Sequence, residues 1–323
     1  MEIKYSVILG FLGSLNDRFA TYNEKRGFVE KIELASEIKG LKAVEIVYPF
    51  DFSEYPVSEI NRILHEKKIE VSSVNVNIKA EKKFHNGALI SPDKGIRNEA
   101  VNYLTKGMEL ANELGSKLVT VCPLSDGYDY PFQIDYKNAW SRLVDCIGQA
   151  ASYNPNVKLS LEYKKSEPRT HVLFSNFGMA LHLCDQIGLK NIGTTLDFGH
   201  SIYTDENPAQ AVYMLHNSNR LFLVHINDNY RNWDWDLLPG TINYWEWLEF
   251  LFALEDISYD GWLVADVYPA RVDPVKCFSL CFEILQNSQK HLKTIGIDNI
   301  KKLICSEDVL SLYREFFQSV GQK

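Results

Sequence analysis

The feature that most constrains the fold is an alternation, along the whole chain, of short β-branched runs with amphipathic helical stretches. Eight such runs stand at 5–13, 43–50, 71–78, 117–124, 158–164, 192–200, 221–229 and 261–269. Helical patterns lie between them, for example at 96–115, which stops on Gly115, and at 175–190. A strand followed by a crossover helix is the unit of a parallel sheet. Eight units with no Pro/Gly/Ser linker or low-complexity tract predict one (β/α)8 barrel over residues 1–293. Residues 294–323 form a further helical extension that could cap the barrel bottom or clasp a second subunit, and a homo-oligomer, dimer or tetramer, is expected.

At 323 residues, with 46% hydrophobic side chains, the chain can bury a large core. Its net charge of −8 and the lack of a Lys/Arg block argue against a nucleic acid or an anionic membrane as partner. The apolar run at the N-terminus is too short to span a bilayer and reads as the first strand of a cytoplasmic protein. The six cysteines contain no Cys-x-x-Cys pair and read as packing residues.

In such a barrel, chemistry gathers where the loops leave the C-terminal ends of the strands. Glu162 and Lys164 end strand five, Asp197 and His200 strand six, His225 strand seven and Asp266 strand eight, whereas strands one to four are poorer in such groups. Buried carboxylates that share one mouth repel one another unless paired or bound to a cation. A mixed Glu/Asp/His set suits Mn²⁺, with Co²⁺ or Mg²⁺ as alternatives, better than a closed zinc site. Glu162, Asp197, His225 and Asp266 make one complete donor set. His200, Asp234 and Asp236 could hold a second ion with Asp197 bridging, since residues two apart in an extended segment face the same side. One or two ions per chain are therefore expected.

With these residues in place, the chain resembles the xylose isomerase-like TIM barrels, a superfamily of sugar isomerases and epimerases. Its motifs are similar to those of L-rhamnose isomerase-type aldose/ketose isomerases: Glu162-x-Lys164, Glu167-Pro168-Arg169, Asp197-x-x-His200, His225, Asp234-x-Asp236 and Asp266. The resemblance implies a small-molecule sugar substrate and a metal-assisted hydride shift. Lys164 would donate to the C1 oxygen, and the second ion on His200, Asp234 and Asp236 would carry a proton-shuttling water. Ketose 3-epimerases share most of the set, and Arg231, six residues beyond His225, matches one of their arginines. They carry a glutamate where this chain has Asp266, which, with Lys164 and the Asp-x-Asp, tilts the resemblance toward isomerase. A single-metal epimerase, and an enzyme that cleaves or decarboxylates an oxidised sugar, stay open as alternatives. Apurinic endonucleases, also in the superfamily, need a basic DNA-binding face and more histidine ligands, and an acidic chain with this set fits them poorly.

Plainer roles stand beside these. His200 could bond a carbonyl, Lys164 could be solvated, and Asp234 and Asp236 could be turn residues before Pro239-Gly240. Arg169 could pair with a carboxylate and fix its loop. Trp233 and Trp235 could wall the sugar pocket or pack the loop, with Phe11 and Tyr48 as further candidates, and His85 is the one histidine proposed for ring opening. No Gly-rich phosphate loop or Arg/Lys cluster follows strands seven and eight, so a free sugar is expected.

Overall fold

The computed structural model describes residues 2–320 except Pro168, so Met1, Pro168 and residues 321–323 of the expected domain, motif and extension lie outside the described residues. Eight parallel strands close into a barrel in chain order: β1 (Tyr5–Ile8), β2 (Ala43–Tyr48), β3 (Glu70–Val76), β4 (Leu118–Val121), β5 (Lys158–Glu162), β6 (Ile192–Asp197), β7 (Leu221–Ile226) and β8 (Leu263–Ala265). All eight runs read from the sequence are strands, each shorter than its apolar run because the loop residues at the mouth continue the pattern.

The helices form an outer layer: α1 (Phe28–Glu37), α2 (Val57–Lys67), α3 (Lys94–Glu113), α4 (Tyr136–Tyr153), α5 (Phe177–Ile187), α6 (Phe198–Tyr203), α7 (Pro208–Asn217), α8 (Tyr244–Asp256) and α9 (Pro274–Ile295). Helix α3 shows how sequence pattern becomes packing. Asp93 caps it by accepting from the Gly95 N–H, a contact of about 1 kcal/mol. Ala100, Val101, Leu104, Gly107, Met108 and Ala111, spaced three or four apart, form its buried face. Two more helices, α10 (Ile297–Cys305) and α11 (Val309–Val320), make the C-terminal extension. It packs on the outside of α8 and α9, where Trp245 meets Tyr313 and Phe316 edge to face and His291 bonds Ser319. Of the six cysteines, all but Cys305 are buried.

The barrel interior is polar above an apolar plug. Ile8, Leu118, Leu223 and Val264 form the plug. Hydroxyl pairs lie in the interior as well: Ser6 bonds Ser72 and Thr195 bonds both Thr120 and Ser160. Two register shifts shape this interior. Val44 pairs with Val71 but Glu45 with Ser73, so β3 carries one extra residue, Ser72. Thr194 pairs with Leu221 but Thr195 with Leu223, which sets Asp197 directly opposite His225.

Loops at the mouth are pinned by two buried carboxylates. Asp228 accepts from the N–H groups of Asn229, Ile242 and Asn243 and from the Asn243 amide, closing the long loop after β7. Asp126, after β4, accepts from the Ala88 and Ile90 N–H groups of the loop after β3, while its Oδ2 has no partner. Burial pushes the Asp126 carboxyl up to about 6, against the lowering effect of those N–H groups. The folded state therefore holds this proton more tightly than the unfolded chain. The resulting penalty grows as pH rises from the unfolded carboxylate value toward 6 and is complete above it. Denaturant titrations should show Asp126→Asn gaining ~1 kcal/mol on the parent protein between pH 5 and pH 7; a difference that stays flat with pH would contradict this.

Candidate metal centre

Glu162 is the last residue of β5, Asp197 the last of β6, His225 lies one residue from the end of β7, and Asp266 directly follows β8. Strand pairing fixes their relative heights, and all four converge in the mouth. One donor atom from each lies within 4.8 Å of the others. His225 Nδ1 sits between three carboxylates, 3.4 Å from Glu162, 3.3 Å from Asp266 and 4.0 Å from Asp197. That nitrogen is buried and has no hydrogen-bond partner. An orphaned imidazole nitrogen facing three carboxylates fits a divalent cation, since donors that share one ion stand ~3 Å apart. The oxygen-rich set suits Mn²⁺, Mg²⁺ or Co²⁺.

Asp197 owes its orientation to the chain that follows it. The expectation placed His200 at a strand end. Instead, Asp197 is the N-cap of the short helix α6, with Oδ1 accepting from the His200 N–H at 2.7 Å. The Asp-x-x-His spacing is thus a capping turn as well as a pair of ligand types. Asp197 Oδ2 accepts from the Asn227 amide at 3.0 Å, and the same amide reaches Asp236 at 3.2 Å. Asn227 fits because residue 199 is glycine: a Cβ there would lie 2.2 Å from Asn227 Oδ1.

The electrostatics carry the same tension. Burial would raise Glu162, yet the His225 charge, with smaller contributions from His200 and Lys79, holds it at about 2. Burial raises Asp197 to about 7; His200 opposes this, and Asp266, Asp234 and Glu162 add to it. Asp266 is raised too, by burial first and against His225. The His225 imidazole is held well above its usual value although burial opposes it, because Glu45 and Glu162 face it.

The remaining polar residues form a second cluster beside the first. Lys164 Nζ lies 2.6 Å from Asp234 Oδ2 and also pairs with Glu167. His200 Nε2 is 3.1 Å from the same Asp234 oxygen, and its Nδ1 bonds the Tyr163 carbonyl. Burial would lower Lys164, but Asp234 and Glu167 hold its ammonium well above the usual value; burial would also lower His200, which Asp197 and Asp234 raise to about 9. Here the compensating cations are side chains. Asp236 adopts a left-handed backbone, φ 47°, rather than an extended one, and its carboxylate accepts from the Asn227 amide. Among the described residues, His200, Asp234 and Asp236 do not come together as a second metal cluster.

Arg231 is exposed and pairs with Glu246 in the first turn of α8. Trp235 is 48% exposed, because the backbone that turns Asp234 inward turns its neighbour out. Trp233 is half-buried, and His85 is exposed with its ring on the Lys82 carbonyl. Phe11 packs edge-on against Tyr268, and Tyr48 against Tyr103. Arg169 pairs with Asp129 at 2.7 Å, tying the loop after β5 to the loop after β4. One buried carboxylate at the site escaped the sequence reading: Glu45 on β2, 3.2 Å from His225 Nε2. Its signal was a lone acid inside the apolar run AVEIVY.

A family model described as xylose isomerase-like TIM barrel matches residues 32–278. The chain belongs to that family. It is 25% identical over 225 residues to a xylose isomerase of Thermus thermophilus, an alignment covering 67% of this chain and 58% of that relative. Its fold is shared with a D-tagatose 3-epimerase-like protein, at 24% identity and TM-score 0.67, covering 89% of this chain and 97% of the other. A structure of L-ribulose 3-epimerase superposes with TM-score 0.70 at 16% identity, covering 94% and 98%. At these identities the structural likeness shows the fold alone.

Ligand carboxylates and the His225 imidazole must shed protons to take up a cation. Because Asp197 is raised to about 7, Mn²⁺ binding should tighten as pH rises through 7 and release protons. Calorimetry in two buffers of different ionisation enthalpy measures this. Uptake independent of pH between 6 and 8 would contradict it.

Proposed function

We propose that this chain is a metal-dependent sugar isomerase/epimerase, with one divalent cation on Glu162, Asp197, His225 and Asp266 and a ketose epimerisation as its reaction. The observation that carries this reading is the four-donor cluster around an unpartnered His225 Nδ1, the one such cluster among the described residues, with the neighbouring Asp234 already paired with Lys164 and His200. A bound cation would polarise the carbonyl of an open-chain sugar and make the adjacent C–H acidic. Glu162 and Asp266 reach the site from β5 and β8, so a ketose lying between them has a carboxylate available on each face: one removes a proton from carbon and the other returns it. Lys164, buried and fixed by Asp234 and Glu167, is placed to donate to a sugar oxygen as negative charge develops there.

Aldose/ketose isomerisation is the second reading, supported by the Glu162-x-Lys164 motif and by the xylose isomerase relative. The two differ in how hydrogen travels. Mn²⁺-loaded protein should be incubated in D₂O with D-tagatose, D-allulose, L-ribulose and xylose, and the products read by NMR. Epimerisation predicts a ketose inverted at one carbon and carrying deuterium there. A direct hydride shift predicts an aldose/ketose exchange without deuterium, and absence of turnover on any sugar contradicts the proposal.

Lys164→Met should lower kcat by ~10² or more while Mn²⁺ still binds, the loss expected for one donor to a developing oxyanion. Stopped assays with parallel calorimetry check both halves. Full activity in that variant would remove Lys164 from the mechanism.

A further inference from the structure

We infer that Glu45 is a positioning residue for the metal centre, acting through His225 rather than as a ligand; the inference rests on the cation site proposed above. Glu45 lies on β2, two strand positions around the barrel from the β7–β8 side of the site, and is fully buried. His225 reaches across the interior so that its Nε2 lies 3.2 Å from Glu45 Oε2. An anionic carboxylate can only accept, so Nε2 carries the hydrogen and donates it. In the neutral ring, the form that can take up a cation, the other nitrogen, Nδ1, then carries the lone pair, on the side where Glu162, Asp266 and Asp197 stand and where it has no hydrogen-bond partner. Glu45 thereby selects the tautomer and fixes the ring plane.

The barrel holds Glu45 itself in place. Asn75 donates to its Oε1 at 2.7 Å and the Ser73 hydroxyl donates to its Oε2. Both donors sit on β3, and the extra residue Ser72 is what brings Ser73 opposite Glu45. A carboxylate fixed by neighbours and bonded to the far nitrogen of a ligand histidine orients that ligand and raises its basicity, and loss of such a partner weakens metal binding ~10–100-fold. Ser73, Asn75, Glu45 and His225 thus form a chain running from β3 to the cation position.

The test is Mn²⁺ affinity by calorimetry on the parent protein, Glu45→Gln and Ser73→Ala, with thermal unfolding of each metal-free protein to confirm folding. Glu45→Gln should bind ~10-fold or more weakly, and Ser73→Ala, which keeps the charge but loosens it, should weaken binding by a smaller factor above twofold. In the Mg²⁺-loaded parent, a long-range ¹H–¹⁵N spectrum should show His225 protonated at Nε2 alone. A loss of threefold or less in Glu45→Gln overturns the inference, as does a His225 protonated at Nδ1. If Glu45→Gln does not fold, an unchanged affinity in Ser73→Ala overturns it instead. If the parent protein itself takes up no Mn²⁺, the cation site fails; if the parent binds and both variants bind equally well, only the role of Glu45 fails.

Discussion

The mutual repulsion of Glu162, Asp197 and Asp266 is the constraint around which the mouth of this barrel is organised. Three carboxylates within a few ångströms of one another, Glu162 and Asp197 buried and Asp266 half-buried, cannot all stay ionised without a compensating positive charge. In the metal-free protein that compensation comes from protons, on the imidazole of His225 and on acids pushed upward, Asp197 to about 7. The scaffold supplies the energy to hold the arrangement. Parallel pairing sets Asp197 opposite His225, and a capping turn and the Asn227 amide fix the Asp197 carboxylate from two sides.

The adjoining cluster meets the same problem with different chemistry. Asp234 is buried as Glu162 and Asp197 are, yet the Lys164 ammonium and the His200 ring saturate its Oδ2. A buried pair of this kind is costly to break, because removing one partner leaves a bare charge in a poor solvent. Two acidic sets therefore sit side by side, one neutralised by side chains and one arranged for a cation. With a cation bound as proposed, that asymmetry would set a fixed ammonium donor next to a Lewis acid, which suits chemistry on a carbonyl and its neighbouring hydroxyl.

Much of this was legible in the sequence because the period of the apolar pattern reports strand and helix directly, and because acids at successive strand ends must converge once the barrel closes. Glu162, Asp197, His225 and Asp266 could be grouped for that reason. What failed to show was what depends on backbone geometry beyond the strand end. The apolar pattern carries the strand through His200 although Asp197 caps a helix there, and the Asp-x-Asp spacing implies an extended segment although Asp236 turns left-handed. Arg231 matched a motif by spacing alone, while Glu246, fifteen residues on, takes its guanidinium. Glu45 does not stand out in the sequence because it lies in the middle of a strand, and its partner lies across the barrel interior, a contact that no local spacing encodes.

The most direct test of the central claim is the number of Mn²⁺ ions retained per chain, by elemental analysis after stripping, reconstitution with excess metal and desalting. It should be run on the parent protein and on the Asp234→Asn/Asp236→Asn double variant. The account predicts one ion per chain in both, because among the described residues only the four-donor set assembles around an unpartnered nitrogen. Two ions in the parent falling to one in the variant, or none in the parent, would contradict it.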